Sequence, residues 1–174
     1  MNLLSSFRRH PLEKPQLEFL LRVTRWGLEH GGGTGEPWRA FEARLQAGKV
    51  SVAHRLHRDA EGIYNLLTGA ILLSQSKLPL APQTCSWALT HWDNPVVVQG
   101  VVDVSSVIVH ETAHFMAAKQ RGWLAGFEEL GPYQLELEYL GHLEVHSDGK
   151  VRQASRQRIL DLRCDAREQE GLNF

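Results

Sequence analysis

Along residues 15–29 the apolar positions Leu17, Leu20, Leu21, Val23 and Leu28 recur at helical intervals, and Trp38, Phe41 and Leu45 do the same over residues 36–47. Spacing near 3.6 gathers such residues on one face, so two amphipathic helices are predicted. Gly31-Gly32-Gly33-Thr34-Gly35 and Pro37 break the pattern between them and read as a flexible loop. These glycines do not make a phosphate loop, because no Gly-Lys-Ser/Thr follows and no apolar strand precedes them. A third helix is expected from Ser51 to about Leu73, with His54 and His57 at its surface or at a cap. From Leu78 to Gly100 the pattern changes: Pro79, Pro82 and Pro95, with Trp87 and Trp92, lead into Val96-Val97-Val98. That segment reads as irregular chain running into a short strand, which could border a cleft and pair with an extended peptide or simply pack on the next helix.

From Asp103 the chain continues Val-Ser-Ser-Val-Ile-Val-His-Glu-Thr-Ala-His-Phe-Met-Ala-Ala-Lys-Gln-Arg, ending at Arg121 before Gly122. Asp103 or Ser105 suits an N-cap and Gly122 a C-cap, which predicts a helix over 103–121. Val104, Val107, Ile108, Val109 and Phe115 make it apolar nearly all round, which implies burial. His110 and His114 stand four residues apart, so both imidazoles leave one face about one turn from each other and can bind a single tetrahedral metal ion. Glu111, offset by one residue, is placed to take a proton from a water at such an ion rather than to ligate it. With nine histidines and fourteen glutamates in 174 residues, this pattern arises by chance roughly 0.04 times per chain. The competing reading is a pair of hydrogen-bonded core histidines.

Two histidines need a third protein ligand, and the downstream candidates are Glu128, Glu129, Glu136, Glu138, His142, Glu144 and His146. Gly131-Pro132 suits a helix entry and Ser147-Asp148-Gly149 a stop, which predicts a second helix over 133–146. On it Leu135, Tyr139, Leu140 and Leu143 define the apolar face, with Glu136 near its centre and Glu138 on the opposite side. A carboxylate in a buried stripe is costly unless paired or metal-bound, which favours Glu136 as third ligand. The segment also alternates at period two through Leu135, Leu137, Tyr139, Gly141, Leu143 and Val145, and Asp148-Gly149 is a hairpin signal. On that strand reading Glu136 and Glu138 share a face, so Glu138 is the runner-up ligand. Tyr139 or His142 could donate a hydrogen bond to an oxyanion near the metal. His142 and His146 are also four apart and read as surface histidines. A last helix, about 150–170, would turn Ile159 and Leu162 inward and leave its charged flank to solvent.

Hydrophobic residues make up 43% of the chain and charged residues 22%, as in ordinary soluble globules. One folded unit over 1–174 is expected, with a helical N-terminal part to about residue 75 and a motif-bearing part from about 95. The fold class expected is mainly α, formally α+β with a minor strand component. Nineteen basic against twenty acidic residues leave a net charge of -1, so no global field favours nucleic acid or an anionic membrane. Cys85 and Cys164 are isolated, which suits a reducing compartment. Arg8 and Arg9 are not followed by an apolar core, and the longest apolar-rich stretch seen, Leu66 to Leu73, is too short to span a bilayer. A cytoplasmic location without membrane attachment is the expectation.

His110, Glu111 and His114 match in full the His-Glu-x-x-His motif of the zincin metallopeptidases, and with a glutamate as third ligand the chain resembles their gluzincin branch. The resemblance covers residues 107–140. It implies one zinc ion held by His110, His114 and Glu136, with Glu111 as general base in hydrolysis of a peptide or protein substrate. Leu140 stands where gluzincins often carry an acid that orients a histidine, so that support must come from elsewhere. The metzincin continuation is absent. Two other classes fit the same residues: a catalytically silent zinc-binding module, and a metal-free helical interaction protein.

Overall fold

Asn94 and Pro95 set the organising element of the molecule. The Asn94 side chain accepts the Val96 N–H at 2.9 Å, and Pro95 occupies the first helical turn, where its missing N–H costs nothing. Helix α4 therefore begins at Pro95 and runs 27 residues to Arg121, ending at Gly122 with φ of 95°. It starts earlier than the Asp103 or Ser105 cap expected. Val96, Val97 and Val98 lie in its first turn rather than in a strand, because the Asn-Pro cap overrides the β-preference of three valines. Unlike Leu66 to Leu73, this helix is long and apolar enough to cross a membrane, and most of its apolar stretch is buried inside the protein.

The structure is a computed structural model and describes residues 10–33, 35–56 and 60–171; His57 and Thr34 lie outside them. Over the described residues it is mainly helical, with six helices and a small three-stranded sheet. Helix α1 spans Lys14–His30 and α2 spans Gly35–Gln46, as the periodicity predicts. Leu20, Val23, Trp38, Phe41 and Leu45 are buried, while Leu17 and Leu28 sit at the margin. The two helices meet at Gly27, where a Cβ would come within 2.2 Å of the Trp38 indole.

The predicted third helix is instead the sheet: β1 (Val50–Ala53), β2 (Gly62–Asn65) and β3 (Ala70–Ser74). Their order is β1-β3-β2, with β1 parallel and β2 antiparallel to β3. All five β3 residues are buried. A strand covered on both faces shows no period-two alternation, which is why Ala70-Ile71-Leu72-Leu73 does not announce itself. The β2–β3 turn is held by Asn65, whose Oδ1 accepts the Leu67 and Thr68 N–H groups, and by Gly69 at φ of 65°. His54, just past β1, is exposed.

Helix α3 (Pro82–Thr90) packs on α1. Beyond α4, a 3₁₀ turn (Trp123–Phe127) leads into α5 (Leu130–His146) and α6 (Gly149–Gly171). The helical reading of 133–146 thus holds over the strand alternative. Asp148 caps α6 by accepting the Lys150 and Val151 N–H groups at 3.0 and 3.1 Å. One apolar core extends from Phe19 through the sheet and α4 to Leu162, with Ile159 packed against it. Helix α4 contacts α1, α2, β2, α5 and α6, so whatever its side chains hold is set by the whole fold.

Candidate metal centre

His110, Glu111 and His114 lie midway along this enclosed helix. His110 and His114 are only 12% and 8% exposed at the side chain, and their rings sit 4.9 Å apart at 69°. Both Nε2 atoms point to a common place, 3.1 Å from each other. The third corner is Glu129, not Glu136: its Oε2 stands 3.3 Å from His110 Nε2 and 3.5 Å from His114 Nε2. Among the described residues, these three make the one group whose ligand atoms all fall within 4.8 Å of one another. A tetrahedral ion with bonds of about 2.0–2.1 Å spaces its ligands by roughly 3.3 Å. The observed edges of 3.1, 3.3 and 3.5 Å therefore fit one small metal ion, and the Glu129 side, 63% exposed, leaves it open to solvent.

Glu129 arrives there because the chain doubles back after α4. Gly122 ends the helix with a backbone angle that favours glycine, and the 3₁₀ turn then runs back over it. A Cβ on Gly126 would lie 3.0 Å from Ala118 Cβ and 3.4 Å from the His114 carbonyl oxygen. That close passage returns the next three residues to the level of the histidines.

Glu136 is buried at 2% exposure, as its place on the apolar stripe of α5 predicts, while Glu138 faces solvent. Its carboxylate, however, stands behind His110. Oε2 accepts from His110 Nδ1 at 3.0 Å, and since a carboxylate can only accept, Nδ1 carries a hydrogen and Nε2 faces the Glu129 corner. Oε1 accepts the Ser106 hydroxyl hydrogen and faces Arg158 Nη2 at 3.5 Å. The orienting acid missing at Leu140 is thus supplied by the residue expected to be the ligand. Among the described residues, the buried His114 Nδ1 has no hydrogen-bond partner.

The field at the centre favours a cation. Burial opposes charge on His110, but hydrogen bonds to Glu129 and Glu136 outweigh it and raise its pKa to about 10. The same contacts to His110 and His114 hold the Glu129 carboxyl well below the usual carboxylate range. Glu111, 6% exposed, is pushed upward by burial, with the two histidines and the Tyr64 N–H pulling the other way. Strand β2 lies flat on it: a Cβ at Gly62 would be 2.7 Å from both Glu111 Cγ and Val107 Cγ1.

No known family model, curated protein or solved structure matches the chain. The remaining predicted residues are dispersed. Tyr139 is fully buried against Trp38, ring centroids 5.7 Å apart, and points into the core rather than toward an oxyanion. His142 packs on Gly32 and against His146, away from the oxyanion role considered for it. Sequence reasoning missed Tyr133, whose ring meets His110 edge to face at 4.7 Å, and Arg158, placed with the solvated flank of the last helix yet 6% exposed. A signal for Arg158 existed: it falls on the stripe of Val151, Ala154, Ser155 and Leu162 that α6 buries, as Glu136 does on α5.

Proposed function

We propose that this protein is a zinc-dependent peptidase, with His110, His114 and Glu129 as metal ligands and Glu111 as general base. The triangle of two Nε2 atoms and one carboxylate oxygen with edges of 3.1–3.5 Å carries the reading. Zinc bound there would lower the pKa of a water to about 7 and polarise a carbonyl. Glu111, one residue around the helix from His110, takes the proton from the attacking water and passes it to the departing amide nitrogen. Its burial keeps the carboxylate weakly solvated, and the Tyr64 N–H fixes its orientation.

Elemental analysis of protein purified without chelator or affinity tag tests the centre. About one zinc per chain, lost in a His110→Ala, His114→Ala double variant, is expected. No metal in a folded wild type would sink the proposal and leave a metal-free helical protein. Zinc without hydrolysis of a peptide library, and no difference between wild type and Glu111→Gln, would leave a silent zinc-binding module instead.

A further inference from the structure

We propose that Arg158 is a positioning residue that holds both sides of the centre, fixing His110 through Glu136 and the wall behind Glu111 through Glu61. The inference rests on the metal-site reading above and adds the residue on which its precision depends.

Every polar atom of the Arg158 head group is engaged. Nε–H donates to Ser106 Oγ at 3.1 Å, Nη1 donates to Glu61 Oε1 at 2.9 Å, and Nη2 donates to Glu61 Oε2 and faces Glu136 Oε1 at 3.5 Å. The fork is bidentate on Glu61, the arrangement that fixes direction as well as charge. Ser106 uses its single hydrogen on Glu136 and accepts from Arg158, so the Glu136 carboxylate is clamped on Oε1 and left to present Oε2 to His110.

The other arm reaches the base. Glu61 immediately precedes Gly62, the residue whose backbone rests on Glu111, and Tyr64 two positions on donates its N–H to that carboxylate. One guanidinium on α6 therefore ties the entry of β2 to the acid behind His110. The charges point the same way. Arg158 lies among Glu61, Glu136 and Asp103, more carboxylates than its single charge matches. An Arg buried merely to staple α6 would need one carboxylate; this one is shared between two that face opposite sides of the same site.

The test is chelator-competition zinc affinity, together with the visible absorption spectrum of the cobalt-substituted protein, for wild type, Arg158→Gln, Arg158→Lys and Leu45→Ala. Leu45 lies in the same core on α2, and its truncation serves as a control for general destabilisation. Arg158→Gln should weaken zinc affinity about 10- to 100-fold and shift the cobalt bands. Arg158→Lys, which keeps the charge but loses the fork, should fall between and serves if the glutamine variant does not fold. Leu45→Ala should lower the melting temperature with affinity and spectrum unchanged. Arg158 variants indistinguishable from Leu45→Ala in affinity and spectrum would overturn the positioning role while leaving the metal site intact. A wild type that takes up neither zinc nor cobalt would overturn both.

Discussion

Two histidine pairs, His110/His114 and His142/His146, have the same four-residue spacing on neighbouring helices, and their fates differ. In both, the rings come together, with centroids 4.9 and 4.4 Å apart. The first pair lies on a helix enclosed by the rest of the fold, with Glu129 before its Nε2 atoms and Glu136 behind one of its Nδ1 atoms. The second pair has an exposed His146 and a half-buried His142 beside a glycine turn. Helical spacing alone brings two rings to one face. Burial is what makes a partner matter, since a polar ring nitrogen withdrawn from water without one, as His114 Nδ1 is among the described residues, loses its hydration uncompensated.

The widest separation of the two pairs should come from removing each in turn. Replacing His110 and His114 by alanine should abolish stoichiometric zinc, whereas the His142→Ala, His146→Ala variant should keep about one ion per chain by elemental analysis. Next come the acids that distinguish the first pair. Glu129→Gln, which removes a direct ligand, should weaken zinc more than Glu136→Gln, for which about 10- to 100-fold is expected. Glu138→Gln should change nothing, and equal effects at 129 and 138 in chelator competition would refute Glu129 as ligand. A smaller effect belongs to the wall of the site. Gly62→Ala pushes β2 off Glu111 and should lower kcat by about 10-fold with zinc content retained, because misplacing a catalytic group costs rate before binding. The mildest test extends the lesson to the two cysteines. Burial pushes the Cys85 thiol up to about 12, and Cys164 is exposed. A chromogenic disulfide reagent near pH 8 should therefore titrate one thiol in the native protein and both after unfolding.

How far the sequence reveals this arrangement depends on whether a feature is local. The buried His-Glu-x-x-His helix, the α1 and α2 patterns and the inward face of α5 are periodic and can be read directly, down to Glu136 inside and Glu138 outside. The sheet is hidden because β3 is covered on both faces, and the true start of α4 because a two-residue Asn-Pro cap outweighs three valines. Glu129 was one candidate among several. Choosing it requires the reversal at Gly122 and the close passage of Gly126, which depend on tertiary contacts with Leu66 and Ala118. Glu136 reads as a buried acid in need of a partner, and the partners it meets are His110, Ser106 and Arg158, the last on another helix.

Glu61 and Arg158 are 97 residues apart in the chain, and that separation has a meaning for timing. A polypeptide made from its N-terminus completes the sheet, α4 and the two histidines before α6 exists. Until Arg158 emerges, Glu61 has no cation to grip and Glu136 lacks one of its holders. On the proposed reading, a hydrolytic centre inside a growing chain stays loosely assembled until α6 has been made, so the order of synthesis itself delays the onset of activity.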